Sequence, residues 1–315
     1  MNENAARVIF FGSGEIAIPS FTRLIEAGPR PLALVTQPDK PAGRHRELTP
    51  PPIKRIALAA GIPVLQPESV RDPASLDALR ALAPDLIVVM AYGQILPKAL
   101  IAIPRLGCVN LHASLLPRHR GASCIQAAID EGDAETGVTV MHVVPKLDAG
   151  DIIHALATPI LPDETGGSLH DRLAGIAADA LAAALPGLLD GSSGRVPQDP
   201  ERSTYAPKMD RDDGRIDWSW DAGRIARRIR AYDPWPGTWT LVDDGQGPKR
   251  FKIFSARPSD GAGGAPGSIA ITADGRALVA CGSGHLELGE VQPDGSRRMV
   301  AAAWLKGLRS LPLFR

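Results

Sequence analysis

A chain of 315 residues, 44% hydrophobic and 22% charged, is too long for one small core and suits two domains of an ordinary soluble protein. Its formal net charge is zero, which excludes nucleic-acid binding through bulk charge and leaves local basic patches to do that work. Three cysteines, Cys108, Cys124 and Cys281, with no C-x-x-C pair, argue against a disulfide framework or a structural zinc site and fit a reducing cytoplasm.

Residues 7–11 (RVIFF) read as a short buried strand running into the turn Gly12-Ser13-Gly14, with a helical pattern from Ile16 to Ala27. The four large apolar residues before the glycine are too few for a signal-peptide core. No stretch is expected to have the apolar length that spans a bilayer. A second strand is expected at 31–36, followed by a loop dense in proline and basic residues, QPDKPAGRHRELTPPP. A helix at 53–60 and a short strand at 63–65 come next, then a helix at 74–82. Residues 85–91 (DLIVVMA) form a near-continuous apolar run, as in a central parallel strand covered on both faces. Strands at 107–111 and 138–144 and a long Ala/Leu-rich helix at 168–189 complete an alternation that predicts a doubly wound, Rossmann-like α/β domain over 1–189. The segment 190–209, rich in Gly, Ser, Pro and charge, reads as a linker. From 210 to 315 a helical, Arg-rich stretch (221–231) precedes short β-like runs at 238–242, 250–256, 268–272, 276–280 and 285–291, the pattern of a small β-barrel.

The segment GCVNLHASLLPRHRGASCIQ (107–126) carries the chemistry. Asn110 and His112 are two apart on a strand, so they share a face, and they stand at the carboxyl end, where open α/β sheets bind ligands. KLDAGDI places Asp148 in a turn after another strand, from which a carboxylate can return to the pair. Amide and imidazole N–H groups suit an oxygen that gains negative charge during attack on a carbonyl carbon. A histidine held by a carboxylate can manage protons near neutral pH. None of the other histidines has metal-ligand spacing to another His or Cys, so no metal is expected.

GCVNLHASLLPRHRGAS resembles the shared motif of folate-dependent formyltransferases, and KLDAGDI resembles their second motif. That resemblance implies Asn110, His112 and Asp148 as catalytic residues and 10-formyltetrahydrofolate as formyl donor. It places Ser114, Leu115, Leu116 and Pro117 at the tetrahydrofolate site. VVMAYGQILPKAL (88–100) resembles another pocket segment of the family, adding Gln94, Ile95 and Leu96. TQPDKPAGR (36–44), IDW (216–218) and RIRAYDPWPGTW (228–239) resemble those members that act on methionyl-tRNA. The implied acceptor is therefore initiator methionyl-tRNA, with an OB-like C-terminal barrel that binds tRNA, in a cytoplasmic monomer. The family usually continues RGAAPI where this chain has RGASCI. Ser123 and Cys124 thus remove a proline, which is expected to loosen the loop.

A tRNA acceptor requires local positive charge. Residues 36–55 hold five basic against two acidic residues, 296–315 hold five basic and none acidic, and Arg224, Arg227, Arg228 and Arg230 share one expected helix. Lys40, Arg44, Arg46, Arg227 and Arg228 are the expected tRNA contacts, with the arginine matching Arg44 important for tRNA recognition in the resembling enzymes. Two other readings compete. One is a formyltransferase acting on an amino sugar nucleotide or another small amine. The other is an NAD(P)-dependent dehydrogenase, because Gly12, Gly14 and Ala17 have the G-x-G-x-x-A spacing after a strand, with Asp39 near the end of the second.

Overall fold

The strands of the first part of the chain are β1 (Val8–Gly12), β2 (Ala33–Val35), β3 (Lys40–Ala42), β4 (Glu47–Thr49), β5 (Val64–Leu65), β6 (Leu86–Met90), β7 (Cys108–His112), β8 (Glu135–His142) and β9 (Ile152–Pro159). In the computed structural model, residues 6–42, 47–243, 247–261, 263–308 and 310–315 are described. One compact unit takes in the chain up to Cys124, Glu135–Thr158 and His170–Ala206; a second takes in Ile125–Ala134, Pro159–Leu169 and Pro207–Arg315. The stretch expected as a linker falls within the first unit as far as Ala206.

Every residue of β1 and β6 is buried, because a central strand covered on both faces has no polar side. They pair in parallel, Val8 opposite Leu86 through Gly12 opposite Met90. The whole sheet has seven strands in the order β5-β2-β1-β6-β7-β8-β9. From β5 to β7 all pairings are parallel, and β8 runs antiparallel to β7. Chain order reverses at β1, with β2 and β5 laid on one side and β6 on the other. The carboxyl ends of β1 and β6 therefore border the crevice that such a reversal opens, and β7 brings His112 beside it.

The α-helices among the described residues are α1 (Ile18–Ala27), α2 (Pro52–Ala59), α3 (Pro73–Ala81), α4 (Lys98–Ile101), α5 (Cys124–Glu131), α6 (Gly166–Asp190), α7 (Ala222–Ala231) and α8 (Ala301–Leu305). Proline lies in the first turn of α1, α2 and α3, where its missing N–H has no intrahelical partner to lose. α6 corrects one expectation: with 25 residues it is long and apolar enough to cross a membrane by length and composition, the one such helix among the described residues. It is laid out as a core helix. Leu173, Ala177, Leu181, Ala184 and Leu188 form a buried stripe at i, i+3 and i+4 spacing, while Asp171, Gly175 and Asp179 face outward.

Some elements escape the periodicity. β3 and β4 form a hairpin inside the proline-rich loop, Lys40 opposite Thr49; a two-stranded ribbon tolerates Pro41 because its outer edge needs no ladder donor. β9 lies at the end of the sheet, and its alternating burial gives no continuous apolar run.

In the second unit α7 is followed by two four-stranded sheets, whose strands pair antiparallel. The all-β character is as expected, arranged as two ladders around one core. That core concentrates aromatics in a chain that has few. Phe314 is 2% exposed and its ring lies 5.0 Å from Phe251, 5.4 Å from Trp218 and 6.0 Å from Trp304, centroid to centroid. The indole N–H of Trp218 donates to Thr240 Oγ1 at 2.9 Å, so its one polar atom is satisfied on burial. Truncating a buried phenylalanine to alanine costs about 3–5 kcal/mol. Phe314→Ala is expected to lower stability by that amount, measured as a lower urea midpoint for loss of the tryptophan signal.

Candidate active site

Residue alternation along β7 sends Cys108, Asn110 and His112 to one face of the sheet. Asn110 pairs with Val89 of β6 on one side and Met141 of β8 on the other; His112 lies opposite Thr139. Thr139 Oγ1 donates to the Ser114 carbonyl at 2.7 Å and accepts from the Leu116 N–H at 3.1 Å. Ser114 Oγ donates to the Arg118 carbonyl at 2.8 Å. The strand following the site thereby pins the loop that carries it.

Gly121 adopts φ +108°, and a Cβ there would lie 2.4 Å from the Ala206 carbonyl oxygen, so only glycine fits. Its N–H donates to Asp148 Oδ2 at 2.8 Å. Asp148 has φ +47°, a left-handed conformation that Asp tolerates better than most residues. His119 (φ +57°) and Ala91 (φ +48°) share it. Three of the four such non-glycine residues among those described thus lie in the segments that follow β6, β7 and β8, and strained backbone of this kind concentrates at functional sites.

His112 is buried, with Nε2 2.9 Å from the His119 carbonyl oxygen and Nδ1 3.7 Å from Asp148 Oδ2. A carbonyl only accepts, so Nε2 carries the proton and Nδ1 is the atom left facing the carboxylate. Burial disfavours a charged ring, but the Cys124 sulfur, the Asp148 carboxylate and the His119 carbonyl outweigh it and raise the imidazole to about 9. These contacts favour the protonated ring. The side-chain amide of Asn110, half-buried, has no hydrogen-bond partner among the described residues. An available amide and an imidazole N–H on one strand can together receive a developing oxyanion.

The other expected site residues divide. Ser114 and Leu116 are buried in the loop's own framework, while Leu115 and Pro117 are half-exposed. The Gln94 amide is engaged, accepting from the Val70 N–H at 3.0 Å and donating to the Glu68 carbonyl at 3.2 Å. Ile95 is exposed and Leu96 belongs to the core. Lys40 is exposed on the hairpin; Arg44 and Arg46 lie outside the described residues. Arg228, expected as a tRNA contact, is engaged within the protein. Its guanidinium binds Asp130 at 2.6 and 3.1 Å and lies over the Trp220 and Tyr232 rings, which commits it to an internal ion pair. Arg227 is held in part by the Asp130 carbonyl, 3.2 Å from Nε. Sequence reasoning missed Thr139, a hydroxyl inside an apolar strand. It also missed how the RGAS loop is tied: the Ser123 N–H donates to the Ala206 carbonyl at 3.3 Å, an anchor that does not depend on proline.

The glycine turn does not suit a dinucleotide. The N–H groups of Ser13 and Gly14, which would cradle a pyrophosphate, both donate to the Ala91 carbonyl at 3.3 Å. Asp39, the expected ribose ligand, is bound by Lys54 Nζ at 2.8 Å and Gln66 Nε2 at 2.7 Å.

Such a site belongs to an enzyme that moves a group at a carbonyl carbon. The formyl transferase family matches residues 6–185, and the C-terminal domain of formyl transferases matches residues 208–309; the chain belongs to this family. It is 52% identical over 305 residues to a methionyl-tRNA formyltransferase of Akkermansia muciniphila, covering 96% of each chain. To the enzyme of the same description from Citrifermentans bemidjiense it is 46% identical, covering 97% of this chain and 95% of the relative. In fold it is similar to an N-formyltransferase from Helicobacter canadensis solved with folinic acid and dTDP-3-aminofucose, with a TM-score of 0.68 at 14% identity, covering 93% of this chain and 100% of the other.

Removing the Asp148 charge is expected to lower the His112 pKa, seen as a downward shift of its NMR titration in Asp148→Asn. A raised folded-state value stabilises fully below the ordinary 6.5 and is lost as pH rises through about 9. The fall in stability across that window is expected to be smaller in Asp148→Asn than in the wild type.

Proposed function

We propose that the chain transfers the formyl group of 10-formyltetrahydrofolate to the amino group of initiator methionyl-tRNA, as a cytoplasmic monomer. The observation that carries this reading is the buried His112 held between the His119 carbonyl and Asp148, beside the available amide of Asn110. Full-length similarity to methionyl-tRNA formyltransferases supports the acceptor. The residues present also suit a folate. Gln37 Nε2, just past the carboxyl end of β2, is buried with no partner among the described residues, and the ring edge of a pterin offers acceptors to such a donor.

In this reading the amine forms a bond to the formyl carbon while Asn110 and the His112 imidazolium stabilise the carbonyl oxygen. His112 then gives its Nδ1 proton to the departing nitrogen as the old carbon–nitrogen bond breaks. The neutral ring takes up the proton released by the attacking amine, and Asp148 restores the imidazolium by its charge. Leu115 and Pro117, with Ile95, line the folate side; Ser114, Leu116, Gln94 and Leu96 hold those surfaces in place. The catalytic part is the formyltransferase domain, and the part from 210 onward assists in tRNA binding. Lys40, Arg44 and Arg46 supply positive charge for the acceptor's phosphates, with Arg227 a further contact. A small amino-sugar acceptor is the second reading, supported by likeness of fold to the Helicobacter enzyme.

The test is formyl transfer from 10-formyltetrahydrofolate to charged initiator methionyl-tRNA. His112→Ala and Asn110→Ala are each expected to lower kcat by about 10²-fold or more. A folded wild type that formylates an amino sugar nucleotide and not methionyl-tRNA would overturn the acceptor. Arg44→Ala is expected to raise KM for methionyl-tRNA while folate binding, followed by fluorescence titration, stays unchanged; equal losses in both would remove Arg44 from tRNA recognition.

A further inference from the structure

The stretch before Ala206 has the composition of a linker, yet one of its side chains reaches the backbone beneath the catalytic carboxylate. Gln198 is half-buried. Its Oε1 accepts from Arg120 Nε at 3.1 Å and Arg120 Nη2 at 2.7 Å. Its Nε2 donates to the carbonyls of Asp148 at 2.9 Å and Gly150 at 2.7 Å. Both ends of one amide are engaged, and each end holds a different wall of the site: the loop after β7 and the turn that carries Asp148.

The residue type is dictated by those partners. A guanidinium needs an acceptor and two carbonyls need donors, and a neutral amide alone supplies both. A glutamate would face the carbonyls with charge and no donor; a lysine or arginine would face Arg120 with like charge. Arg120 is 7% exposed, so its charge depends on the partner it has. The same segment adds backbone support. The His119 N–H donates to Thr204 Oγ1 at 2.8 Å, the Arg120 N–H to the Thr204 carbonyl at 2.9 Å, and the Ala206 N–H to the Arg120 carbonyl at 2.7 Å. The turn at Gly150 has no slack to adjust alone, since a Cβ there would lie 1.8 Å from the His142 carbonyl oxygen.

We propose that Gln198 is a positioning residue for formyl transfer. By clamping the left-handed turn at Asp148 to Arg120, it keeps the carboxylate on the Gly121 N–H and facing His112. Its effect on catalysis rests on the function proposed above; its effect on His112 does not. The segment from 198 to 206 is on this account a working part of the active site.

Gln198→Ala and the near-isosteric Gln198→Glu test this in the full chain, with three readouts: the transfer assay, the NMR titration of His112, and thermal melting. Both variants are expected to lower kcat by between about ten- and a hundredfold, with KM for both substrates within about twofold of wild type. Gln198→Glu is expected to be the worse of the two, despite its preserved size. The His112 titration is expected to move to lower pH in Gln198→Ala, which a residue serving only to hold a linker would not cause. Unchanged kcat and an unmoved His112 titration in folded Gln198→Ala would overturn the proposal, as would a glutamate variant that works like the wild type. If wild-type protein moves no formyl group to methionyl-tRNA, the acceptor reading fails and the titration alone decides here: a shift supports Gln198, and no shift removes it.

Discussion

The bond from the Gly121 N–H to the Asp148 carboxylate, 2.8 Å long, is the constraint on which the site depends. It joins the loop after β7 to the turn after β8, two segments distant in sequence, and it fixes a carboxylate beside a buried imidazole. The conformations on either side have no freedom to compensate, because Gly121 admits no side chain and Asp148 occupies the left-handed region. Burial opposes charge on the His112 ring, and the Cys124 sulfur first, then that carboxylate and the His119 carbonyl, raise its pKa against it. In the proposed transfer a protonated ring would donate to oxygen and nitrogen and become a base only after giving up its proton.

The sheet was legible because its central strands are apolar on both faces. The Asn110–His112 spacing was legible because strand periodicity is strict. Asp148 could be placed in a turn from its neighbours, but its positive φ could not be read, since nothing local demands it. The partners of that turn come from residue 121 on one side and residue 198 on the other. Gln198 was hidden for the opposite reason: Gly, Ser and Pro around it are what a linker contains, and composition does not distinguish a free segment from one tied by side-chain bonds. Ser123 and Cys124 suggested a looser loop, yet that loop is anchored through the backbone to Ala206, a contact no residue type announces.

Several basic residues have partners within the protein. Arg228 is committed to Asp130, and Arg224 lies over the Trp220 ring, 3.7 Å from its centroid. Arg298 pairs with Glu290 and lies over Phe254. Arg257 and Arg276 share Glu287. Exposed pairs of this kind contribute little to stability, but they set where positive potential stands. In a chain with no net charge, the placement of acids decides which basic clusters remain open to a phosphate backbone, and only a structure shows that placement.

All five tryptophans of the chain, Trp218, Trp220, Trp235, Trp239 and Trp304, lie in the second compact unit. The unit that bears His112 and Asp148 contains none, so it is silent when indole is excited. Tryptophan emission, excited beyond the tyrosine band, therefore arises from the second unit alone. A single indole introduced on the catalytic sheet would give the silent half a signal of its own.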